Sequence, residues 1–200
     1  MKEIYHMIQK EAERRNGVIR TSEIEEQGIS RSYLKDMVNT GRLVRESKGI
    51  YIIPDDAPDE YFLIQKRSEK LIYSYGTALF FHGLSDRVPT IIDATFPQGY
   101  NASRLKKAYP MLRIHYVQSK VLEVGVCEIN TPQGYKVRTY DSERCICDLI
   151  KDKEKVDKQL YTQALREYFR GNFFARKILK TAKLIGVEKE VKTYMEVLQG

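Results

Sequence analysis

A short helix, a turn and the first residue of a second helix are encoded by Ser22-Glu23-Ile24-Glu25-Glu26-Gln27-Gly28-Ile29-Ser30-Arg31. Ser22 and Glu25 have the spacing of a capping box, and Gly28 supplies a tight turn. Ser30 is placed to cap a second helix that starts at Arg31, and Gly41 is placed to end it. The stretch therefore predicts a helix-turn-helix.

The flanking residues complete a small domain around this motif. Upstream, Ile4, Ile8 and Ala12 repeat at helical spacing. Downstream, residues 43–53 contain two apolar, β-prone runs around a Ser-Lys-Gly turn, which predicts a hairpin. Three helices followed by a hairpin predict a winged helix-turn-helix.

The helix predicted over residues 31–40 is expected to bury Leu34 and Val38 and to leave its other side for DNA. Arginine can pair with guanine and asparagine with adenine, while hairpin cations approach phosphates or the minor groove. Tyr33 fits either side of the helix. The predicted DNA-binding residues are Arg31, Ser32, Tyr33, Lys35, Asn39, Arg42, Arg45 and Lys48.

A protein-interaction module is the alternative for this domain, because a fold does not determine a function. Four acidic residues keep that alternative open: Glu23, Glu25, Glu26 and Glu46. The acids of the second helix can also project away from the phosphates.

The charge balance favours a polyanionic partner. The chain has 34 Lys and Arg against 27 Asp and Glu, a net charge of +7. Most of the excess positive charge lies after the first domain, because residues 61–200 contain 24 basic and 15 acidic residues.

The three cysteines, Cys127, Cys145 and Cys147, lack metal-binding spacing. No apolar signal stretch opens the sequence and no run approaches the roughly 18 apolar residues of a membrane span, so we expect a cytoplasmic protein without membrane contact, metal or cofactor.

A domain boundary is predicted at residues 54–60, where two prolines and four acids interrupt both periodic patterns. The expected division is a winged helix-turn-helix over 1–56 and a second domain over 57–200. Strands are predicted at 91–96, 112–117, 126–129 and 135–139, and helices from 142 to 200. The predicted fold class is α+β, with a mixed α/β C-terminal domain that ends in a helical bundle.

No convincing catalytic group emerges from the second domain. His82 is a candidate base, but a lone histidine after two phenylalanines is more typical of a hydrogen-bonded core or capping residue. Asp93 stands alone in the sequence, and His115 is a weaker candidate than His82. Arg144 and Asp148, four residues apart, are expected to form a structural ion pair. We therefore predict that the protein is not an enzyme, with a DNA-binding nuclease as the alternative.

The last helices leave a further question open. Six cations recur there among aromatic residues: Arg166, Arg170, Arg176, Lys177, Lys180 and Lys183. They form either a phosphate-binding strip or an ordinary solvated face above a packed aromatic core.

Three stretches resemble the AbiEi antitoxins of type IV toxin–antitoxin (abortive infection) systems. Residues 77–85 with Pro89 resemble their "SALxxHGL(S/T)xxxP" motif, residues 139–150 are similar to "s.eRtxxDll", and residues 49–54 to "GvYxxP". Cys145 stands where the family more often has threonine. The matching positions of the second domain are Thr77, His82, Gly83, Leu84, Pro89, Glu143, Arg144 and Asp148.

The resemblance implies a two-domain antitoxin that takes part in phage defence. Its winged helix is expected to bind inverted repeats in its own promoter and repress the operon, and its C-terminal domain to carry antitoxicity. The implied partner is a nucleotidyltransferase-like toxin, countered without a stable complex. The antitoxin would be monomeric in solution or pair on double-stranded DNA.

Overall fold

A computed structural model describes residues 2–54 and 59–199 of the chain. The centre of the predicted linker, including the expected division between residues 56 and 57, lies outside these residues. The chain forms two compact units, residues 1–63 and 64–200. Within the described residues, no helix combines the length and apolar character that crossing a membrane requires.

The N-terminal unit contains three helices and a three-stranded antiparallel sheet of order β1-β3-β2. The elements run α1 (Lys2–Arg14), β1 (Val18–Arg20), α2 (Thr21–Glu25), α3 (Ser32–Asn39), β2 (Val44–Ser47) and β3 (Ile50–Ile52). The predicted hairpin consists of β2 and β3. These strands pair antiparallel, and Arg45 lies opposite Tyr51. Strand β1 was not predicted, because it has only three residues.

An apolar core holds the three helices of this unit against the sheet. It contains Ile8, Ala12, Ile19, Ile24, Leu34, Met37 and Leu43. Val38 was predicted to be the buried residue of α3 next to Leu34, and this is wrong. Met37 is fully buried, whereas Val38 is only partly buried against the core. Both residues fit the helical repeat from Leu34, three and four positions away, so periodicity alone does not choose between them.

The capping box predicted for Ser22 and Glu25 is wrong, because α2 begins at Thr21, two residues earlier than a cap at Ser22 requires. Glu23 occupies the third helical position, where its carboxylate accepts a hydrogen bond from the Arg20 backbone N–H at 2.8 Å. Helix α3 begins at Ser32, one residue later than predicted, so its N-cap is Arg31, which makes no side-chain capping hydrogen bond. Ser30 lies one residue before this cap, and its hydroxyl oxygen accepts from the Ser32 N–H at 3.3 Å. Gly41 ends that helix as predicted, with its N–H donating to the Val38 carbonyl.

The C-terminal unit is built on a five-stranded mixed sheet of order β6-β5-β4-β8-β7. Its first elements are α4 (Glu60–Arg67), which begins before the unit boundary, β4 (Ile72–Tyr73), α5 (Tyr75–Phe81), β5 (Ile92–Pro97), α6 (Ser103–Ala108) and β6 (Leu112–Val117). These are followed by α7 (Ser119–Leu122), β7 (Val126–Asn130) and β8 (Lys136–Tyr140). Neighbours β5 and β6 run parallel, as do β4 and β8.

Four helices complete the unit: α8 (Ser142–Lys151), α9 (Lys158–Arg170), α10 (Ala175–Ile185) and α11 (Glu188–Gln199). They share one apolar core with α5. Helix α8 lies at its centre, because every residue from Glu143 to Ile150 is buried. The α+β class predicted from the sequence is confirmed by this arrangement of helices and sheets.

Candidate functional site

The exposed side of α3 carries four polar residues at positions predicted for DNA binding. Arg31, Ser32, Lys35 and Asn39 are exposed, and we call them the α3 surface. Leu34 and Met37, on the opposite side, are fully buried. No ion pair of Arg31 or Lys35 is found within residues 2–54 and 59–199. The α3 surface is therefore available to an external polyanion, anchored on a packed helix.

One acid also lies on the exposed part of this helix. Asp36 follows Lys35 and stands four residues after Ser32, which places it beside the α3 surface. Asp36 is not one of the predicted DNA-binding residues. A single carboxylate lowers the local positive charge, and we expect it to disfavour a phosphate next to it.

Tyr33 and Arg42 are both tied to α1. The Tyr33 ring is half-buried and packs edge-on against Tyr5, with ring centroids 5.8 Å apart. The Arg42 guanidinium lies over the same Tyr5 ring at 5.4 Å from its centroid. The structure thus places Tyr33 toward the core, while Arg42 is held at the surface by a cation–π contact.

The hairpin presents two further predicted cations. Arg45 lies on β2 and Lys48 in the turn between β2 and β3, and both side chains are exposed. The N-terminal unit therefore exposes five basic residues at the predicted positions: Arg31, Lys35, Arg42, Arg45 and Lys48.

The first AbiEi-like stretch of the second unit forms the end of α5. The Gly83 N–H donates to the Phe80 carbonyl and the Leu84 N–H to the Leu79 carbonyl, which is the Schellman pattern of helix termination. Gly83 has a φ of +68°, a left-handed conformation that glycine adopts without steric cost. The motif order His-Gly-Leu thus supplies the cap residue, the left-handed residue and an apolar residue that packs back on the core. Pro89 is half-buried in the following loop.

Two side chains of this stretch connect it to the rest of the unit. The Thr77 hydroxyl oxygen accepts from the Asp93 backbone N–H at 2.8 Å. His82 Nε2 lies 2.7 Å from the Tyr140 carbonyl oxygen, so this ring nitrogen carries the proton and donates. His82 therefore links the first AbiEi-like stretch to the second, which begins at Thr139.

The second AbiEi-like stretch provides the expected ion pair. Arg144 Nε lies 2.9 Å from Asp148 Oδ2, and both residues are buried. The Arg144 guanidinium also donates to the carbonyl oxygens of Val121 and Val124, at 2.6 and 2.8 Å. Arg144 thus fixes the α7 turn against α8, and its charge is fully partnered.

Glu143 binds a different set of groups. Its carboxylate accepts from Lys177 Nζ at 2.6 Å and from the Tyr168 hydroxyl at 3.4 Å. Asp141, the cap of α8, lies 2.9 Å from the same lysine nitrogen. All six cations of the last helices are exposed, but Lys177 is held by two carboxylates. No ion pair of Arg166, Arg170, Arg176, Lys180 or Lys183 is found among residues 59–199.

Burial changes the ionisation of several groups in α8. Loss of hydration raises the pKa of Asp148 above its usual range, although the nearby Arg144 charge opposes the rise. Burial also raises the pKa of the Cys147 thiol to about 12 and that of Cys145 well above its ordinary value. Both cysteines are therefore protonated, buried thiols, which are poor nucleophiles.

Asp93 is not isolated in the structure, contrary to the prediction from the sequence. Its carboxylate is 1% exposed and accepts from Arg113 Nε at 2.5 Å and Nη2 at 2.8 Å. His115 Nε2 lies 2.7 Å from the same carboxylate. These three residues form the Asp93 cluster on the paired strands β5 and β6.

The charge state of Asp93 follows from these contacts. Burial alone raises the pKa of its carboxyl, but the hydrogen bonds from His115 and Arg113 outweigh burial and lower it below the ordinary value. A sequence signal for this cluster existed. A carboxylate inside the apolar strand Ile92–Pro97 requires a partner. Arg113 and His115 are two residues apart on the next parallel strand, so both side chains lie on the same face of the sheet.

A cavity of about 820 Å³ opens beside the Asp93 cluster. The Tyr75 ring stacks on His115 with centroids 4.1 Å apart, and its hydroxyl donates to Asp152 Oδ2 at 2.6 Å. Lys155 lies 2.7 Å from the same aspartate. Arg113, Arg144 and Asp148 also line the cavity, so both the Asp93 cluster and the second AbiEi-like stretch contribute to its walls.

Comparison with known families supports part of this description. Residues 6–54 match the family model described as "Transcriptional regulator, AbiEi antitoxin". The AbiEi resemblance is confirmed over these residues. The AbiEi match includes α2, α3 and the hairpin, and hence the α3 surface.

A solved structure is similar in fold. The crystal structure of the RV2827C protein from Mycobacterium tuberculosis matches with a TM-score of 0.50 and 12% sequence identity. The match covers 95% of this chain and 79% of that one. No curated protein sequence matches this chain.

Proposed function

We propose that the N-terminal unit is a winged helix-turn-helix that binds double-stranded DNA and that the protein is an autorepressing AbiEi antitoxin. The observation that carries the proposal is the α3 surface, on a helix anchored by Leu34 and Met37. Its Arg31 and Lys35 are exposed and have no ion pair among the residues that the structure describes. The match of residues 6–54 to a transcriptional-regulator family supports the same function.

In this proposal, α3 enters the major groove. Its first residues reach base edges, where Arg31 suits guanine, and Asn39 provides an amide suited to adenine. Arg42, Arg45 and Lys48 contact phosphates or the minor groove, which fixes the register of the protein on the duplex without reading sequence. Two protomers meet on an inverted-repeat operator in the protein's own promoter.

A binding experiment with the protein's upstream region tests the DNA-binding proposal. In fluorescence anisotropy, Arg31→Ala and Lys35→Ala should each weaken binding by about 1 to 3 kcal/mol if the side chains read bases. Lys48→Ala should weaken all sequences alike and lower the salt slope by about one, because it removes one phosphate contact.

The matched control is Lys189→Ala, which removes an exposed cation of α11 and should leave operator affinity unchanged. Wild-type binding in all three N-terminal variants would eliminate the proposed recognition surface. A promoter–reporter fusion tests autorepression, since Arg31→Ala should derepress it and Lys189→Ala should not.

The C-terminal unit carries the antitoxicity in this proposal, against a nucleotidyltransferase-like toxin in the cytoplasm. Co-expression of that toxin with the Arg31→Ala protein tests the assignment. Growth should be restored although DNA binding is weakened, and the mixed proteins should elute separately in size-exclusion chromatography. Continued growth arrest would show that antitoxicity requires the α3 surface.

We propose that none of these activities is enzymatic. The thiols of Cys145 and Cys147 are buried with raised pKa values, and His82 donates to the Tyr140 carbonyl. The nuclease alternative is tested by incubating the operator fragment with the protein and Mg²⁺. The fragment should stay intact, and metal-dependent cleavage that purification cannot remove would overturn this part of the proposal.

A further inference from the structure

The cavity of the C-terminal unit has the size of a small-molecule site. Its volume of about 820 Å³ falls within the roughly 300–1,000 Å³ of typical ligand pockets. Its walls come mainly from the start of α5, β6, α7, α8, residues 155–160 and the end of α10. They are rich in charged side chains, so the charge balance indicates what such a site would bind.

Most of the charges in the walls are compensated within the protein. Three cations pair with carboxylates: Arg113 with Asp93, Arg144 with Asp148, and Lys155 with Asp152. The remaining wall carboxylate, Asp157, caps α9 by accepting from the Leu160 N–H at 2.9 Å, and it lies 3.6 Å from an Arg87 nitrogen.

Two lysines are left over from this pairing. Lys120 on α7 and Lys151 on α8 line the cavity and are exposed. No ion pair of either lysine is found in the described part of the chain. The charge of Lys151 acts on Asp148 and Asp152 at longer range. The cavity therefore offers two ammonium groups that pair with no carboxylate of residues 2–54 and 59–199.

A strained residue stands in the cavity wall. Tyr75 has a φ of +42°, in the left-handed region that non-glycine residues rarely adopt. The next residue is Gly76, where an added Cβ would lie 3.2 Å from Asp93 Oδ2. This backbone brings the Tyr75 ring onto His115 while leaving room for the Asp93 carboxylate. Strain of this kind is typical of binding sites, where geometry is maintained at a cost in stability.

Lys120 and Lys151 are carried by two segments that Arg144 joins. Arg144 donates to Val121 and Val124 on either side of the α7 end, and it pairs with Asp148 on the helix that also carries Lys151. One buried guanidinium therefore fixes both lysine-bearing segments. Preorganised positive charge of this kind favours binding, because the site does not have to be assembled by the ligand.

We propose that this cavity binds a phosphorylated small molecule of nucleotide size, with Lys120 and Lys151 as the phosphate-binding residues. A phosphate monoester carries about −1.5 to −2 charges near neutral pH, which matches two ammonium groups better than a single carboxylate does. The volume leaves space for the organic part of the ligand beside the Tyr75–His115 ring pair. The site is independent of the α3 surface.

Titration of the full-length protein with a fluorescent N-methylanthraniloyl derivative of AMP tests the proposal. Binding should be saturable and should be displaced by ribose 5-phosphate and by millimolar inorganic phosphate, but not by adenosine. Lys120→Gln and Lys151→Gln should each weaken binding about fivefold, and the double variant more than tenfold. Both residues are exposed, so these variants should fold normally.

Lys189→Gln is the matched control for charge and should retain full affinity. Arg31→Ala should also bind the probe normally, which separates this site from the proposed DNA-binding surface. Absence of saturable binding up to millimolar probe would overturn the proposal. So would displacement by adenosine alone, or unchanged affinity in the double lysine variant.

Discussion

The two units use charged residues in opposite ways. In the N-terminal unit, the α3 surface is exposed over an apolar core, and Arg31 and Lys35 have no ion pair in the described residues. In the C-terminal unit, charges penetrate the core, where Arg144 and Asp148 pair within a fully buried stretch of helix. The exposed cations of the first unit are therefore available for binding and contribute little to its stability. The buried ion pair of the second unit is part of its packed core.

The largest effect is expected from breaking the buried pair of the second unit. Arg144→Leu would leave Asp148 as a buried carboxylate without its partner, at a cost of about 3 to 5 kcal/mol in the free energy of unfolding. Urea unfolding of the full chain measures this loss. Arg166→Leu, which changes an exposed arginine on α9, should alter stability by less than about 0.5 kcal/mol. Equal effects of the two variants would contradict the comparison.

A smaller loss is expected where the backbone approaches Arg144. Gly125 has a φ of +78°, and an added Cβ would lie 2.6 Å from the Arg144 Cβ and 2.9 Å from an Asp141 carboxylate oxygen. Gly125→Ala should therefore cost about 2 to 3 kcal/mol by backbone strain and steric overlap.

Gly134→Ala separates these two causes. Gly134 has a φ of +89° with nothing within 4 Å of its added Cβ, so only the backbone strain of about 1 to 2 kcal/mol applies. Urea unfolding of both variants gives the difference. A Gly134→Ala loss as large as that of Gly125→Ala would show that overlap with α8 is unimportant.

The Asp93 cluster should give a pH-dependent effect. At pH 7, Asp93→Asn should lower the free energy of unfolding by about 1 to 2 kcal/mol, discounted because the Arg113 side chain is 52% exposed. The folded-state pKa of Asp93 lies below its ordinary value of 3.8. Its stabilisation is therefore complete above that value and is lost as the pH falls through the folded pKa.

Unfolding of wild type and Asp93→Asn at pH 7 and at pH 3 measures this dependence. The difference between the two proteins should shrink at the lower pH. A difference that grew on acidification would mean that burial, rather than hydrogen bonding from Arg113 and His115, dominates the ionisation of Asp93.

The smallest effect is expected at the α3 surface. Arg31→Ala and Lys35→Ala should change the free energy of unfolding by less than about 0.5 kcal/mol, because both side chains are exposed and neither has an ion pair in the described part of the chain. The same variants should lose operator affinity. The two measurements together would show that these cations serve binding, whereas Arg144 in the second unit serves stability. A loss of stability above about 1 kcal/mol would show that these cations support the fold.

Local sequence signals predicted the N-terminal elements more completely than the C-terminal site. Helix α3, the end at Gly41 and the hairpin depend on caps, glycines and alternation within a few residues, and all are present. The choice of Met37 over Val38 depends on how the sheet packs on α3, which periodicity does not encode. Strand β4 escaped prediction because it has only two residues.

The Asp93 cluster shows why the candidate cavity was harder to predict. Asp93 and Arg113 are 20 residues apart and meet only because β5 pairs with β6 in this register. A carboxylate in an apolar strand needs a partner, but the sequence does not identify the strand that supplies it. The Arg144–Asp148 pair was predictable, since one turn of α8 brings the two together.

The central position of β4 affects the order in which the C-terminal unit can assemble. Its partner on one side, β5, follows after about 20 residues, but its parallel partner on the other side, β8, is 66 residues away from Tyr73 at Thr139. During synthesis, one edge of β4 remains unpaired until β8 has emerged, whereas the N-terminal sheet is complete by Ile52. Long-range pairing slows folding and leaves strand edges exposed to other chains. Nascent chains that stall before Tyr140 should therefore aggregate through this edge.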